Sequence, residues 1–287
     1  MQVKRVLVTG ATGHIGRQVV DQLRGTGCQI RALTRNPESA ALPADVELVR
    51  GDLGVPDTLD AALTGVDAVF LVWLAPLAAA AGALDRIAAH AERVVLLTSP
   101  HNVAHPFFQQ PNAMRAVHAG LERLIEASGL QWTFLCPHVF ALNCLHWWGP
   151  QIRNGEVMKW FHGDAETAPI HERDIAAVAA LALRDEGHAS KEYVITGPES
   201  LTQRELVRII GEAIGRPLRF EELAPDAARQ DVLATWPGAI ADMLLSAYAA
   251  AVARPSHVTT TVAEVTGTPA RRFRDWAVDH ATEFAGK

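Results

Sequence analysis

The sequence predicts an α/β fold with a doubly wound parallel sheet, and two observations support this class. First, apolar runs of strand length alternate through the first half of the chain with segments whose apolar residues recur at helical spacing. Second, these runs lack the polar–apolar alternation of a half-exposed strand, so we expect helices to cover both faces of the sheet. Helical connections between consecutive strands imply that the strands pair in parallel.

Six strands and three helices are predicted in the first half of the chain. The strands cover residues 4–9, 29–34, 46–49, 68–73, 93–98 and 132–136, and the helices cover residues 14–23, 56–63 and 113–128. Gly129 suits the left-handed residue that ends the third helix. The uncharged stretch 68–84 is short for a bilayer crossing and is interrupted by Pro76, so we interpret it as a buried strand followed by a loop and a helix.

The second half is predicted to form a smaller, mostly helical lobe that packs on the edge of the sheet. Its first part is irregular and rich in aromatic residues, and helices are predicted at 172–183 and 202–214. A capping box of Thr202 and Glu205 opens the second of these helices. We expect two domains, residues 1–145 and 146–287, with a strand at about 192–196 returning from the lobe to the sheet.

Composition and charge exclude several classes of protein. Hydrophobic residues make up 49% of the chain, which rules out a disordered or low-complexity protein. The 26 Lys and Arg residues against 32 Asp and Glu residues give a net charge of −6, so no basic surface for nucleic acid is expected. The three cysteines form no CxxC pair and no signal-peptide pattern is visible, so we expect a cytoplasmic protein that binds neither nucleic acid nor membranes.

A glycine-rich turn follows the first predicted strand and opens the first predicted helix. It reads Gly10-Ala11-Thr12-Gly13-His14-Ile15-Gly16. Glycines in such a turn permit a tight bend, let the backbone approach a diphosphate and allow close packing of helix on strand. The free N–H groups and the positive end of the helix attract the diphosphate. A tight turn without a ligand is the alternative, but the context predicts a Rossmann-like dinucleotide-binding domain over residues 1–145.

The residues that follow the second and third strands indicate which dinucleotide binds. NAD-binding chains place an acidic residue about 20 residues beyond the glycine turn, whereas this chain has Arg35 at the end of the second strand. A guanidinium suits the 2′-phosphate of NADP(H), so we predict NADP(H), with a solvated surface arginine as the alternative. Asp52 and Leu53 follow the third strand and are predicted beside the adenine, although Asp52 also suits a plain turn residue.

The sequence resembles the atypical short-chain dehydrogenase/reductases, in particular the NmrA-like group with its quinone oxidoreductase and isoflavone reductase-like relatives. The resemblance covers essentially the whole chain. It depends on the segments VLVTGATGHIG, LTR, VRGDL, GLERLIEASGLQWTFLCPHVFALN, PIHERDIAAVAALAL and YVITGPESLTQREL. The resemblance implies an NAD(P)H-dependent oxidoreductase, but not its substrate, because family members reduce C=C, C=O, C=N and quinone bonds and some are regulators without turnover.

The chain departs from the Tyr-x-x-x-Lys pattern by which short-chain dehydrogenases donate a proton. Its two tyrosines, Tyr193 and Tyr248, have no lysine four residues on. In isoflavone reductase-like members a lysine lies eight residues before the Glu of the IEA-x-G stretch, and His118 occupies that place here. Histidine donates or accepts a proton near neutral pH, and Glu122 lies one turn on, where it is expected to orient the ring. A surface or core histidine is the alternative.

Further site residues are predicted where the fifth and sixth strands end. Thr98 is expected to contact the cofactor, and Ser99 resembles the serine that hydrogen-bonds substrate carbonyls in the wider superfamily, although it also suits a turn before Pro100. His101 is expected to face substrate. His101 and His105 are four residues apart but are bracketed by prolines and lack a third ligand, so no metal site is expected.

Residues beyond the sixth strand complete the predicted site. By resemblance, Pro137, His138 and Phe140 line the nicotinamide side of the cofactor, and Asn143 contacts substrate. The aromatic side chains expected either to wall a flat substrate or to form the core of the lobe are Trp147, Trp148, Trp160 and Phe161.

These residues together predict an NADPH-dependent reductase of a small, aromatic or polycyclic substrate that acts as a monomer or a homodimer. Two alternatives remain open on the same fold. One is an NmrA-like regulator that senses dinucleotide without turnover, and the other is a non-redox isomerase or cyclase that uses the histidines as acid and base.

Overall fold

The strands of this computed structural model confirm the predicted parallel sheet. The structure describes residues 3–110, 112–224, 226–230 and 238–285. Its strands are β1 Arg5–Val8, β2 Gln29–Thr34, β3 Glu47–Arg50, β4 Ala68–Val72, β5 Arg93–Leu97, β6 Gln131–Pro137, β7 Val157–Trp160, β8 Glu166–Thr167, β9 Lys191–Ile195, β10 Leu201–Thr202 and β11 Arg219–Glu222. Seven of them form one sheet in the order β3-β2-β1-β4-β5-β6-β9, with every pair parallel.

Helices connect the strands and form most of the lobe. They are α1 His14–Leu23, α2 Asp60–Leu63, α3 Ala80–His90, α4 Ala113–Ala127, α5 Leu142–Asn154, α6 Glu172–Arg184, α7 Gln203–Ala213, α8 Gly238–Ala250, α9 Thr261–Thr266, α10 Phe273–Asp279 and α11 Ala281–Ala285. Residues 226–230 are also helical. Within these ranges, no helix has the length and apolar character needed to cross a membrane.

Most predicted elements are confirmed to within two residues. Gly129, with a φ of 80°, follows α4 as predicted, and the Thr202–Glu205 capping box opens α7. The predicted helix at 56–63 is instead a 3₁₀ turn, Pro56–Thr58, followed by the short α2. The stretch predicted as irregular contains α5, whose interior Pro150 is tolerated because the helix buries Trp148 and Ile152 in the core.

Two apolar layers lie on opposite faces of the sheet. Successive residues of the central strands point to opposite faces, so Val6 and Val8 join the layer under α1 and α6 while Leu7 joins the layer under α2, α3 and α4. Helix α6 packs beside α1. The second half of the chain therefore contributes a helix to the sheet as well as the predicted strand at 192–196, observed as β9.

The strand order reverses direction between β1 and β4, which are neighbours in the sheet although β2 and β3 intervene in sequence. Connections from these two strands leave on opposite sides and open a crevice beyond their carboxyl ends. The loops after β1, β4, β5 and β6 meet at this edge. A binding site is therefore expected here on topology alone.

Candidate active site

A groove of about 910 Å³ runs along the carboxyl edge of the sheet, and we call it the cofactor groove. It is formed by the loops after β1, β2, β3 and β4 and by the start of α5. Most of the predicted cofactor residues line it, namely Gly10, Thr12, Gly13, His14, Ile15, Gly16, Arg35, Asp52, Leu53 and Phe140. The structure thus brings together residues that are far apart in sequence.

The glycine turn has the geometry that a diphosphate needs. Gly10 has a φ of 61°, a left-handed conformation that favours glycine. A Cβ atom on Gly16 would lie 2.2 Å from the carbonyl oxygen of Gly10, so only glycine fits there. Gly13 is the N-cap residue of α1, and as a glycine it has no side chain that could bond to the free N–H groups of the first turn. A Cβ atom at this position would have the carbonyl oxygen of Gly10, at 3.3 Å, as its nearest neighbour. The first turn of α1 is therefore open to an anion from the groove.

Arg35 lies exposed on the wall of the cofactor groove at the end of β2. Within the described ranges its guanidinium has no carboxylate partner. Glu38, the first acidic residue after β2, accepts a hydrogen bond from Arg50 at 2.5 Å, and a backbone hydrogen bond together with this contact holds the pKa of Glu38 below its usual value. Because Glu38 is paired with Arg50, the guanidinium of Arg35 remains available to a ligand in the groove.

Asp52 has a structural contact as well as a place on the groove. Its Oδ1 atom accepts a hydrogen bond from the backbone N–H of Gly54 at 2.8 Å, which closes a turn after β3. The turn interpretation and the adenine interpretation are therefore compatible, since a carboxylate accepts several hydrogen bonds.

A second cavity, of about 450 Å³, opens beyond β5 and β6, and we call it the substrate cavity. Phe140 and Asn143 line both this cavity and the cofactor groove, so the two spaces meet there. Thr98, Pro137 and His138, which are predicted to contact cofactor, line the substrate cavity and not the groove. They lie at the carboxyl ends of β5 and β6, and their contact with cofactor stays a prediction.

Ser99 and His118 form a hydrogen-bonded pair on the wall of the substrate cavity. The Oγ atom of Ser99 lies 2.6 Å from Nδ1 of His118. Ser99 follows β5, while α4 carries His118 across the end of that strand. Burial lowers the pKa of His118, and the nearby His101 lowers it further. This pairing was not foreseen from the sequence, although both residues were predicted for the site.

Glu122 was predicted to orient the ring of His118, but its carboxylate contacts Thr98 and His101 instead. Its Oε1 atom accepts a hydrogen bond from Thr98 at 2.5 Å, and its Oε2 atom lies 3.0 Å from Nε2 of His101. The two residues share a face of α4, but the carboxylate turns towards the end of β5. Burial raises the pKa of Glu122, while Thr98 and His101 oppose that rise. Glu122 therefore orients His101 at the cavity wall.

His101 and His105 have separate roles. His105 donates from Nε2 to the carbonyl oxygen of Pro255 and accepts at Nδ1 from the N–H of Phe107, both at 3.2 Å. His101 lines the substrate cavity, as predicted for a residue that faces substrate. Across the described part of the chain, no group of three or more His, Cys, Asp or Glu side chains is arranged to hold a metal ion.

His138 is buried against the aromatic ring of Phe108, with ring centroids 4.1 Å apart. Burial, with contributions from His257 and His105, lowers the pKa of His138 to about 3. Neither of its ring nitrogens has a hydrogen-bond partner among the described residues. A neutral imidazole with unused polar atoms thus forms part of the cavity wall.

The predicted aromatic wall is mostly core. Trp147 lines the substrate cavity, whereas Trp148, Trp160 and Phe161 do not. Their exposed fractions are only 1%, 8% and 2%, and Trp160 stacks on Phe161 with a centroid distance of 4.7 Å. Successive helical residues point about 100° apart, so only one of the adjacent pair Trp147 and Trp148 faces the cavity.

Sequence reasoning missed much of the cavity lining. These residues come from the loop after β5, from the start of α4 and from α8, and they include Phe107, Phe108, Arg115, Ile240, Met243, Leu244, Ala247 and Tyr248. Helix α8 is apolar around most of its circumference, a pattern that indicates burial but not which face lines a cavity.

Comparison with known proteins identifies the family. A family model described as NAD(P)H-binding matches residues 10–186. The chain is 40% identical to (4-alkanoyl-5-oxo-2,5-dihydrofuran-3-yl)methyl phosphate reductase of Streptomyces griseus, over 98% of this chain and 99% of that protein. It is 34% identical to NAD(P)H azoreductase of Xenophilus azovorans, over 97% of this chain and 99% of that protein.

A solved structure has the same fold. The NADPH-dependent quinone oxidoreductase of Escherichia coli, complexed with NADPH, matches with a TM-score of 0.81 at 23% identity, covering 96% of this chain and 100% of that one. The family model and the two relatives confirm the family inferred from the motifs. The chain belongs to the NAD(P)H-binding family and is an NAD(P)H-dependent oxidoreductase of the atypical short-chain dehydrogenase/reductase type.

Proposed function

We propose that this chain is an NADPH-dependent reductase of a small, largely apolar molecule whose double bond is conjugated with a carbonyl group. The observation that carries the proposal is the junction of the two spaces. The cofactor groove and the substrate cavity meet at Phe140 and Asn143, and the Ser99–His118 pair lies on the cavity wall. Reduction of such a bond needs a hydride donor and a proton donor. A cofactor in the groove would supply the hydride, and the Ser99–His118 pair would supply the proton.

The residues of the groove fit NADPH. The first turn of α1, with Gly13 at its N-terminus, would hold the diphosphate, and the uncommitted Arg35 would hold the 2′-phosphate. When bound, the nicotinamide supplies hydride. Arg35 is the reason for proposing NADPH over NADH.

The Ser99–His118 pair is suited to deliver the balancing proton. Hydride addition to a conjugated double bond leaves negative charge on the carbonyl oxygen, which an O–H donor stabilises. Ser99 Oγ donates to that oxygen, and the protonated ring of His118 replaces the proton from Nδ1, 2.6 Å away. His118 is thus the acid and Ser99 the relay, and the lowered pKa makes His118 a stronger acid.

The walls of the substrate cavity favour an apolar substrate body. Phe107, Phe108, Trp147, Met243 and Leu244 line much of the space, and its polar groups lie near the ends of β5 and β6 and around the start of α4. The Streptomyces relative is named as a reductase of an alkanoyl-substituted dihydrofuranone, a conjugated ring with an acyl group. This likeness supports a conjugated carbonyl compound with an apolar substituent as the substrate class.

The proposal is tested by following NADPH oxidation with an alkanoyl-dihydrofuranone, a quinone and an azo dye. We expect the fastest turnover with the alkanoyl-dihydrofuranone and a saturated ring carbon pair in its product. Faster reduction of the quinone or the azo dye would overturn the substrate class. NADPH binding without turnover of any of the three would favour the dinucleotide-sensing regulator.

A further inference from the structure

We propose that Arg115 forms an anion subsite of the substrate cavity and binds a phosphate group of the substrate. The inference rests on the proposed reductase function and adds a charged substituent to the substrate class. It is carried by the charge distribution of the cavity wall and by the place of Arg115 on α4.

Arg115 is the single permanently charged side chain among the described residues that line the substrate cavity. No Asp or Glu side chain among the described residues lines the cavity, so its positive charge has no compensating carboxylate there. Burial lowers the pKa of both His118 and His138, which disfavours a positive charge on either ring. An uncompensated cation in an apolar cavity attracts an anionic ligand strongly.

The guanidinium of Arg115 is also uncommitted. The backbone N–H of Arg115 donates to the carbonyl oxygen of Asn112 at 3.1 Å, but its side chain has no hydrogen bond or ion pair with any described residue. The side chain is half-buried. A guanidinium offers five donors in a fork that matches phosphate oxygens, so the free group is suited to a phosphate ester.

The place of Arg115 on α4 limits where the phosphate lies in the substrate. Arg115 and His118 are three residues apart, so they project from the same face of the helix, about 5–6 Å apart at their Cβ atoms. A phosphate held by Arg115 therefore lies on the same wall of the cavity as the Ser99–His118 pair. The apolar substituent then packs on the apolar lining of the cavity, which includes Leu244 and Tyr248 of α8.

This subsite is separate from the cofactor phosphates. Arg115 does not line the cofactor groove, whereas Arg35 and the first turn of α1 do. Loss of Arg115 is therefore expected to leave NADPH affinity unchanged, and this separates the two anion sites in an experiment.

The test uses two substrates that differ only in the anion: an alkanoyl-dihydrofuranone methyl phosphate and the corresponding alcohol. We expect Arg115→Gln to lower kcat/KM for the phosphate about 10- to 100-fold, the size expected for lost charge-assisted hydrogen bonds. The value of kcat/KM for the alcohol should stay the same. Arg115→Lys should restore part of the loss. Arg123→Gln is the matched control, because Arg123 is exposed on the same helix and does not line the cavity.

Calorimetric titration of the NADP⁺-loaded protein with both compounds separates this inference from the proposed function. We expect the phosphate to bind more tightly than the alcohol, with the difference lost in Arg115→Gln, whether or not turnover occurs. Equal affinity for the two compounds in the unmodified protein would overturn the inference, as would an equal loss for both in Arg115→Gln. Absence of turnover alone would count against the reductase proposal and not against the subsite.

Discussion

The cofactor groove and the substrate cavity are neighbours built in different ways. The groove owes its shape to backbone: the left-handed Gly10, the close approach of Gly16 to Gly10 and the open first turn of α1. The cavity owes its shape to side chains from the ends of β5 and β6, the loop after β5, α4, α5 and α8. The glycine turn that shapes one end of the groove is encoded within a single stretch of chain, whereas the whole cavity wall depends on the folded arrangement of distant segments.

This difference predicts how each space responds to substitution. A change in the glycine turn blocks the groove as a whole, because the ligand contacts the backbone directly. A change in the cavity wall removes one contact and leaves the others, so chemistry, affinity and stability are expected to separate.

The largest expected effect is on cofactor binding. Gly13→Val places a branched side chain where the backbone faces the groove, and we expect loss of measurable NADPH binding in a folded protein. Gly155→Val is the control, since a Cβ atom there has no neighbour within 4 Å. Fluorescence titration measures the affinity and circular dichroism the fold. NADPH affinity retained by folded Gly13→Val would contradict the assignment of the groove.

Loss of the acid is expected to be the next largest effect. His118→Ala should lower kcat by about 10²–10⁴-fold and leave NADPH affinity nearly intact, because the ring moves a proton and does not line the groove. His118→Lys should restore part of the activity, since related enzymes use lysine there. A fall in kcat of less than about threefold would transfer the acid role to Ser99 or to the His138 loop.

Two adjacent tryptophans sharpen the contrast between core and cavity. Trp148 is 1% exposed, so we expect Trp148→Ala to lower the free energy of unfolding by about 3–5 kcal/mol, as the loss of a large buried side chain does. Trp147→Ala removes a cavity-lining ring, so we expect a smaller loss of stability and a higher KM. Thermal unfolding and steady-state kinetics measure the two effects. The same unfolding midpoint for both variants would contradict the distinction.

Arg35→Glu tests the choice of cofactor. A carboxylate opposite the 2′-phosphate repels NADPH and suits the 2′-hydroxyl of NADH, so we expect the ratio of the two affinities to shift about 10- to 100-fold towards NADH. Arg24→Glu is a control of equal charge change, because Arg24 does not line the groove. Equal affinity for both cofactors in the unmodified protein would show that Arg35 has no part in the preference.

The smallest expected effect is in the dependence of the rate on pH. Burial lowers the pKa of His118 below its ordinary value of 6.5, so the ring holds its proton only at more acidic pH. Because the protonated ring is the donor, kcat/KM should rise as pH falls, with the midpoint below 6.5. This limb should be missing from His118→Ala. A limb that persists in that variant would assign the titration to another group.

The sequence predicted the fold and the cofactor groove well because both depend on local patterns. Apolar periodicity located the elements around Val6 and Val19, and the spacing of Gly10, Gly13 and Gly16 located the groove. The cavity was predicted only in part. Glu122 contacts Thr98 and His101 and not His118, and Trp148 is buried beside the cavity-lining Trp147. Both outcomes depend on side-chain directions that only packing determines.

The return of the chain to the sheet through α6 and β9 has a consequence for synthesis. The first six strands leave the ribosome before α6 can cover Val19 and Val20 of α1 and before β9 can pair with β6. Until then the nascent chain exposes an apolar face and an open strand edge, the features that promote aggregation and chaperone binding. The polypeptide up to residue 145, the first of the two predicted domains, therefore does not complete its own core.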